Sequence, residues 1–535
     1  MELRASPFIL ISPGDPLLED LRFLVRESGT SFRSFTPPLS RDEVLQILDD
    51  VDAVQLSAPA REVYRRVYDA VKPVLVDTPQ VYPTIAYTAG AFALQVQGVL
   101  APEIHIRTNP SIPFTKRDAE SPPFMAAPIT LFFDDFLQLA VEPLVTSDPS
   151  FYEEAGSAWG TNVPYTMSRF DMNMPLRGFI AAGGAWWNFQ LGRDKVSYGT
   201  AHTGNLAFSD TPDYYDFARL SVFSTHFKYS LLVSQLPLDT SELLAAGASV
   251  PEQSLEHTTQ RHLYLHRIDA RFFHTVSLGF SEGIMVGNAP LELRFLNPFV
   301  MFHSFYAWRD YDKWGASGDT IGSLFSCDID WAALPSLAVY GQLVMNEFAM
   351  AMELEGNPNQ PPNGLGYLAG IEYTHTFTEW RAAFYGEFVY TDPYLYTLSS
   401  PFGSFIWMRR LSDIGSKDIR YLWIGHPAGR DTLLFALGSV VSKGNLVLSA
   451  DISFINRGEH TIRWDWEQTQ EARNERTPSG IAERQLLIGV GTTWKPLPRL
   501  ALSGYLGSVM VFDANHVKGT NAYGGEMSFS VRLTY

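Results

Sequence analysis

The chain has 535 residues, of which 46% are hydrophobic, 13% aromatic and 18% charged, and its 40 basic and 58 acidic side chains leave a formal charge of −18 and a pI near 5.1. The apolar content is enough for a folded core and excludes a disordered chain. The acidic balance excludes a nucleic-acid partner, which would need a basic footprint, and the single cysteine, Cys327, excludes an internal disulfide or a cysteine-rich zinc site.

No stretch approaches the ~18 consecutive apolar residues of a transmembrane helix; the longest runs, such as Leu433 to Val441, reach only about half of that. A β-barrel is the other structure that spans a bilayer with its backbone satisfied, and its signature is alternation. Such a chain is exported. The first residues, Met-Glu-Leu-Arg-Ala-Ser-Pro, hold no charged-then-apolar signal segment, so a mature form with an initiator Met left or added is expected.

Up to about residue 75 the apolar period is helical. Asp15-Pro16 reads as a cap with proline in the first turn, Leu17, Leu18, Leu21, Leu24 and Val25 form one stripe, and Gly29 is placed to stop the helix. Ser40-Arg-Asp-Glu43 is a capping box ahead of Val44, Leu45, Ile47 and Leu48. Val63, Tyr64, Val67, Tyr68 and Val71 predict a third helix that stops at Lys72-Pro73. Three such helices cannot bury their stripes alone and need a larger partner.

From about Val81 to Tyr535 the period switches to two. Leu446, Leu448, Ala450, Ile452 and Phe454 share one face of a strand, and Val447, Ser449, Asp451 and Ser453 share the other. Phe227, Tyr229, Leu231 and Val233 alternate likewise with Lys228, Ser230 and Ser234, as do Trp187, Phe189 and Leu191 with Asn188 and Gln190. Roughly sixteen to eighteen such runs are expected, each about 9–11 residues, the length of a tilted membrane strand. Trp331-Ala-Ala-Leu-Pro335-Ser-Leu and Trp494-Lys-Pro-Leu-Pro498-Arg-Leu both read W-x-x-L-P-x-L. They predict tight turns at one rim, with tryptophan in the girdle beside them. At the chain end Met527, Phe529, Val531, Leu533 and Tyr535 alternate with Ser528, Ser530, Arg532 and Thr534, which predicts a lipid-facing last strand.

Several blocks carry a resemblance. Trp187-Asn-Phe-Gln-Leu-Gly192-Arg193 through Tyr198-Gly199, then Asn205-Leu-Ala-Phe-Ser209-Asp210, resembles the "L-G-R…W/Y-G…L-L-S" block of the Wzi-like capsule-assembly family. Leu278-Gly-Phe-Ser-Glu282 leading to Leu296-Asn297-Pro298, Asp328-Ile-Asp330-Trp331 with Leu337 to Leu343 and Asn346-Glu347, Ile424-Gly425-His-Pro427-Ala-Gly429-Arg-Asp431, and Asp20 to Leu24 with Pro38-Leu-Ser follow in the family's order. Asn346-Glu347 stands where the family pattern has Asp-Glu, and Ala428 to Asp431 replaces a Gly-Pro-Asp-like end. The resemblance implies an all-β transmembrane protein: an antiparallel outer-membrane barrel of about eighteen strands, residues 76–535, with residues 1–75 as a helical bundle at its periplasmic end. It implies a lectin-like role in holding capsular polysaccharide at the cell surface.

Gly279-Phe-Ser281-Glu-Gly283 matches the G-x-S-x-G elbow of hydrolases, but that elbow sits on a strand-to-helix turn, whereas Ser281 lies in an alternating run opposite Val276, Leu278 and Phe280. His262 and His266 sit beside strand-like Tyr264 and Leu265 with no acidic zincin partner. The expectation is a non-enzyme without cofactor or metal. Sugars need rings for their C–H faces and polar groups for their hydroxyls. Trp308-Arg309-Asp310-Tyr311-Asp312-Lys313-Trp314 offers both, and Trp464-Asp465-Trp466-Glu467 is a second such stretch. Trp308, Tyr311 and Trp314 are the candidate stacking residues, with Arg309 and Lys313 able to pair uronate carboxylates. Phe299, Met301 and His303 predict a strand before this stretch, and the next is expected near Ile321. Expected partners are outer-membrane lipid, surface polysaccharide and, during biogenesis, the barrel-assembly machinery. A porin-like channel for small solutes is the alternative function.

Overall fold

The computed structural model describes residues 7–72, 85–112, 121–147, 157–166, 170–171, 174–238, 259–287, 289–302, 321–347, 364–397, 402–410, 419–460, 462 and 475–535. Three helices form first. Helix α1, Pro16–Ser28, is capped by the Asp15 side chain, which accepts from the Leu17 N–H, and ends at Gly29 in the left-handed region (φ 71°). Gly29 is needed for a second reason: a Cβ there would stand 3.1 Å from Pro335 Cα. Helix α2, Arg41–Asp49, carries the expected capping box, with the Ser40 N–H donating to Glu43 Oε2 at 2.8 Å. Helix α3, Ala58–Val71, starts earlier than the apolar stripe predicted, because Ser57 caps it and Pro59 lies within the first turn, where its missing N–H costs nothing. Leu21, Leu24, Val25, Val44, Ile47, Leu48, Val63, Val67 and Val71 make the bundle's core.

Most of the other described residues build one large antiparallel sheet. Among the described residues, fifteen strands from Gly178–Gly184 to Ala522–Thr534 pair each with the next, the hairpin Ile406–Arg410 with Ile419–Trp423 standing apart from that sequence. Ala522–Thr534 does not end the sheet. It pairs Leu533 with Leu100 and Met527 with Ile106, and the run through Phe92–Val96, Val99–Leu100 and Glu103–Arg107 is flanked on its other side by Met125–Ala126 and Ile129–Phe133. The next run, Leu137–Val141, pairs with Gly178–Gly184. These three interrupted runs bring the strands to eighteen, as expected, and give the first and last long strands partners on both sides.

Short turns gather at one end. Leu334 pairs with Leu337 across Pro335-Ser336, with Ser336 at φ 68°, and Leu497 pairs with Leu500 across Pro498-Arg499. Because antiparallel strands alternate direction, the other short hairpins, among them Gly184–Trp187 and Phe272–Val276, lie at this end too, and the long connections lie at the other. This is the periplasmic and extracellular asymmetry of outer-membrane barrels. Trp331 and Trp494 are half-exposed on the outer face beside their turns, as the girdle reading required. The helices sit at the same end: the Ser336 N–H donates to Arg26 O and the Ser31 N–H to His274 O.

The last strand is held by paired backbone bonds between Tyr535 and Gly98, at 2.7 and 2.5 Å. Met527, Phe529 and Tyr535 are exposed on its outer face and Val531 and Leu533 half-buried there, while Ser528 and Ser530 are buried on the lumen side. Phe529→Arg is expected to cost roughly 2–4 kcal/mol, since a cation mid-strand has no water to keep. A lower urea midpoint for folding into vesicles would register it; an unchanged midpoint would mean the face is not in lipid.

Candidate functional site

The lumen is filled from both ends. At the short-turn end the filling is ionic. Arg22 and Arg26 are one turn apart on α1 and both reach the wall: Arg22 Nε donates to both Glu372 oxygens at 2.9 Å, Arg26 Nε to Glu372 Oε2 at 3.0 Å, and Arg26 Nη1 to Asp330 Oδ2 at 2.9 Å. All four side chains are buried. On α2, Glu43 is ion-paired to Lys228 and accepts from Asn188 Nδ2 at 2.9 Å. Asp50, at the end of α2, joins Arg33 to the wall's Arg271. Asp20 likewise joins Arg66 of α3 to the wall's Arg381.

At the long-connection end the filling is apolar. Tyr198, Leu206, Phe208, Tyr396, Phe402, Phe405 and Trp407 come from the connections after Trp187–Asp194 and Trp380–Thr391, and pack on lumen-facing Leu232, Leu263, Leu265, Met285, Leu324, Val344 and Leu368. Arg409, on the inserted hairpin, is ion-paired to Asp171 and Asp213, and Arg420 donates to Asp213 at 3.2 Å.

Among the described residues, a cavity lies on each side of Gly14, Asp15 and Pro16 at the start of α1. One holds about 420 Å³ and is lined by Arg177, Asp194, Lys195, Asp213, Arg409 and Arg532 among others. The second, about 710 Å³, is bounded by Glu19, Asp20, Arg66, Arg381, Lys495 and Tyr385. Both carry charges of both signs, which gives neither cavity a strong preference for one ion sign, and the second is also lined by Leu17, Phe23, Phe384 and Val440.

Burial would push the Glu43 carboxyl up, but Lys228 and the Ser40 N–H more than offset it and hold it below the usual range. Asp50 is likewise pushed up by burial, and more strongly held down by Arg33 and Arg271. Carboxylates depressed on folding contribute stability that is complete above their unfolded values, about 4, and lost as pH falls through the lower folded values. Helix docking is therefore expected to be constant from pH 7 down to about 5 and to fail below about 4. Tryptic release of residues 7–72 as a function of acid exposure would measure it; release already beginning near pH 6 would contradict it.

No family model matches the sequence, and a search of curated proteins finds no match. Solved structures do match. A structure of Wzi, described as an outer membrane protein involved in group 1 capsule assembly in Escherichia coli and as a carbohydrate-binding β-barrel, aligns over 97% of this chain and 98% of its own with a TM-score of 0.59 and 14% identity. The chain has a Wzi-like fold. Pseudomonas aeruginosa OprD aligns over 83% of this chain and 95% of its own at 7% identity and a TM-score of 0.40, and Vibrio cholerae OmpT over 84% and 100% at 9% and 0.33. The likeness to Wzi includes the helical end, since it extends over nearly the whole chain.

Within this Wzi-like fold, Trp308, Arg309, Tyr311, Lys313 and Trp314 lie outside the described residues, as does the stretch Trp464 to Glu467. The strands that bracket the first stretch do not run as expected on its N-terminal side. The preceding strand ends at Gly287, and the segment holding Phe299 and Met301 contains a short 3₁₀ turn, Leu293–Leu296, because Pro298 has no N–H to give a ladder; His303 is outside the described residues. The following strand does start at Ile321. Ser281 is buried mid-strand and accepts from Arg267 Nη1 at 3.2 Å, so it sits on no elbow. His262 and His266 occupy the outer face of Thr259–Phe272, and among the described residues no cluster of metal-ligating side chains occurs.

The ionic network escaped sequence reading. Its local sign was present in the i, i+4 pair Arg22 and Arg26 beside the apolar stripe of α1, and in charges such as Asp330 and Glu372 on lumen faces. The apolar filling had a sign too. In Leu263-Tyr264-Leu265 and Ile284-Met285-Val286 alternation fails and both faces are apolar, which a lumen face needs only where something packs on it.

Proposed function

We propose that the protein binds a capsule-like surface polysaccharide and helps attach or assemble it at the outer face of the outer membrane. The observation that carries this reading is the doubly filled lumen, which fits a wall that holds something at its rim better than one that passes solutes. The full-length likeness to a carbohydrate-binding barrel supports it. In this reading residues 1–75 form a periplasmic plug, residues 76–535 form the barrel inserted by the barrel-assembly machinery, and no catalysis is involved. Trp308, Tyr311 and Trp314 stack on sugar faces, and Arg309 and Lys313 hold acidic groups. The connection that contains them joins strands whose near ends lie at the long-connection, extracellular side.

The test replaces Trp308, Tyr311 and Trp314 with alanine together and measures glycan retained on cells and the amount of folded barrel. Retention is expected to fall to background while barrel amount stays level; unchanged retention would remove this site. The two cavities flanking α1 favour a second reading, a narrow porin-like path. Planar-bilayer conductance of the whole protein separates the two, because a glycan holder needs no current.

A further inference from the structure

The outer wall of a membrane barrel should present apolar side chains to lipid, and on most strands it does: Ile268, Leu278, Phe280 and Ile329 are all more than 40% exposed. Above them, on the same outward faces, Tyr264, Ile284, Val286 and Ile321 are at most 1% exposed. What covers them is residues 289–302, which fold back over the outside of the wall and press Phe295, Phe302 and Leu296 onto it. Under this flap lies a hydrogen-bonded histidine–carboxylate pair. His266 and Glu282 also face outward, with His266 Nε2 2.8 Å from Glu282 Oε2. The Phe302 ring stacks on the imidazole at 4.3 Å, and the Phe302 N–H donates to the carboxylate at 3.0 Å. Bare, this pair would stand against hydrocarbon at a cost of several kcal/mol.

The flap's height follows from the strand. Trp331, in the lower girdle, is paired with Val276. Glu282 is six residues further on, and Val286 ten. At about 3.4 Å per residue and a tilt near 40°, they stand roughly 16 and 26 Å above the girdle, from the upper half to the upper edge of an apolar band about 25 Å tall. The flap therefore occupies the outer-leaflet level. Its own outward side is bare: Phe299 is 93% exposed, Leu293 76%, Met301 65% and Leu291 50%. The charges between them, Glu292 and Arg294, are paired with one another, and the Asn297 side chain accepts from the Phe299 N–H at 3.1 Å, which fixes the turn.

We propose that residues 289–302 form an outer-leaflet flap whose Leu291, Leu293, Phe299 and Met301 insert among lipid acyl chains while its inner side seals the His266–Glu282 pair from lipid. The occupant is lipid because the patch continues the barrel's own lipid-facing band at the same height, and its only charges are self-neutralised. A single apolar cluster of this exposure on a water-facing connection would mark a binding surface; here the surrounding phase is the partner. The proposal uses none of the residues proposed to hold glycan and does not depend on them.

The test is nitroxide labelling of the full chain in lipid vesicles. Cys327 is first replaced by serine, and single labels are placed by Phe299→Cys, by Leu293→Cys as a second flap position, by Leu437→Cys on the mid-wall, and by Val517→Cys in the connection before the last strand. The readout is the ratio of collisions with oxygen to collisions with a water-soluble nickel chelate. The flap labels are expected to give a ratio close to that of Leu437→Cys and many times that of Val517→Cys. A ratio equal to that of Val517→Cys places the flap in water and overturns the proposal. Protection from both colliders means that protein covers it, whether a second copy or another part of this chain, and overturns it as well.

Discussion

Replacing Arg26 with alanine is expected to cost the docked helical bundle about 3–5 kcal/mol, because it strands buried carboxylates at the short-turn end of the lumen. Arg26 is 1% exposed and pairs with both Asp330 and Glu372. Asp330 would keep the Phe32 N–H at 3.1 Å, and Glu372 would keep Arg22. Those remaining partners were arranged for a balanced group, two guanidiniums against two carboxylates, and the balance is what offsets desolvation. Arg22→Ala is expected to be similarly severe, since Arg22 holds both oxygens of Glu372 and also donates to Thr200 O at 2.7 Å. The decisive measurement is a double-mutant cycle. Arg26→Ala with Asp330→Ala should recover much of the single loss, read as the urea midpoint for protease release of residues 7–72. If the double variant is as weak as the sum of the two singles, the pair is not coupled and the network does not dock the helices.

The same network shows where sequence reading stops. Helices α1 and α2 were legible because their signals are local: a cap at Asp15, a box at Ser40 and Glu43, and a left-handed stop at Gly29. The start of α3 lies one turn before its apolar stripe, because Ser57 caps it and Pro59 in a first turn breaks nothing. Strands were legible because a half-buried wall imposes period two. Arg26 and Glu372 lie 346 positions apart, and no local pattern names the partner of a charge across that separation. Phe299 and Met301 alternate like a strand, yet alternation requires only that side chains point two ways. Here one direction is the wall and the other the outside, with no ladder between. For the candidate site, the following strand at Ile321 could be read and the preceding one could not, and Trp308, Tyr311 and Trp314 lie outside the described residues.

A lumen filled in two layers makes an unusual expectation for deletions. Removing residues 7–72 takes away the ionic layer and leaves Asp330, Glu372, Asp269, Lys228 and Arg267 lining a wetted half-lumen. The apolar layer, with Trp407, Phe402, Phe405, Tyr396 and Phe208 packed on the inward leucines of the wall, still stands above it. Conductance in planar bilayers is therefore expected to stay low in the helix deletion, and also in a variant lacking the hairpin Ile406–Trp423, and to rise many-fold only when both are removed. The small current that each single deletion passes should follow the wall from Leu446–Arg457 to Leu500–Phe512. There the inward Ser449, Asp451, Ser453, Ser503 and Tyr505 are only half-buried, unlike the fully covered Arg219, Ser230 and Arg267 across the lumen. Gel mobility before and after heating would establish that each variant is a folded barrel. A wide, steady pore from the helix deletion alone would mean that the apolar layer does not seal the barrel, and the porin-like reading would then gain the stronger claim.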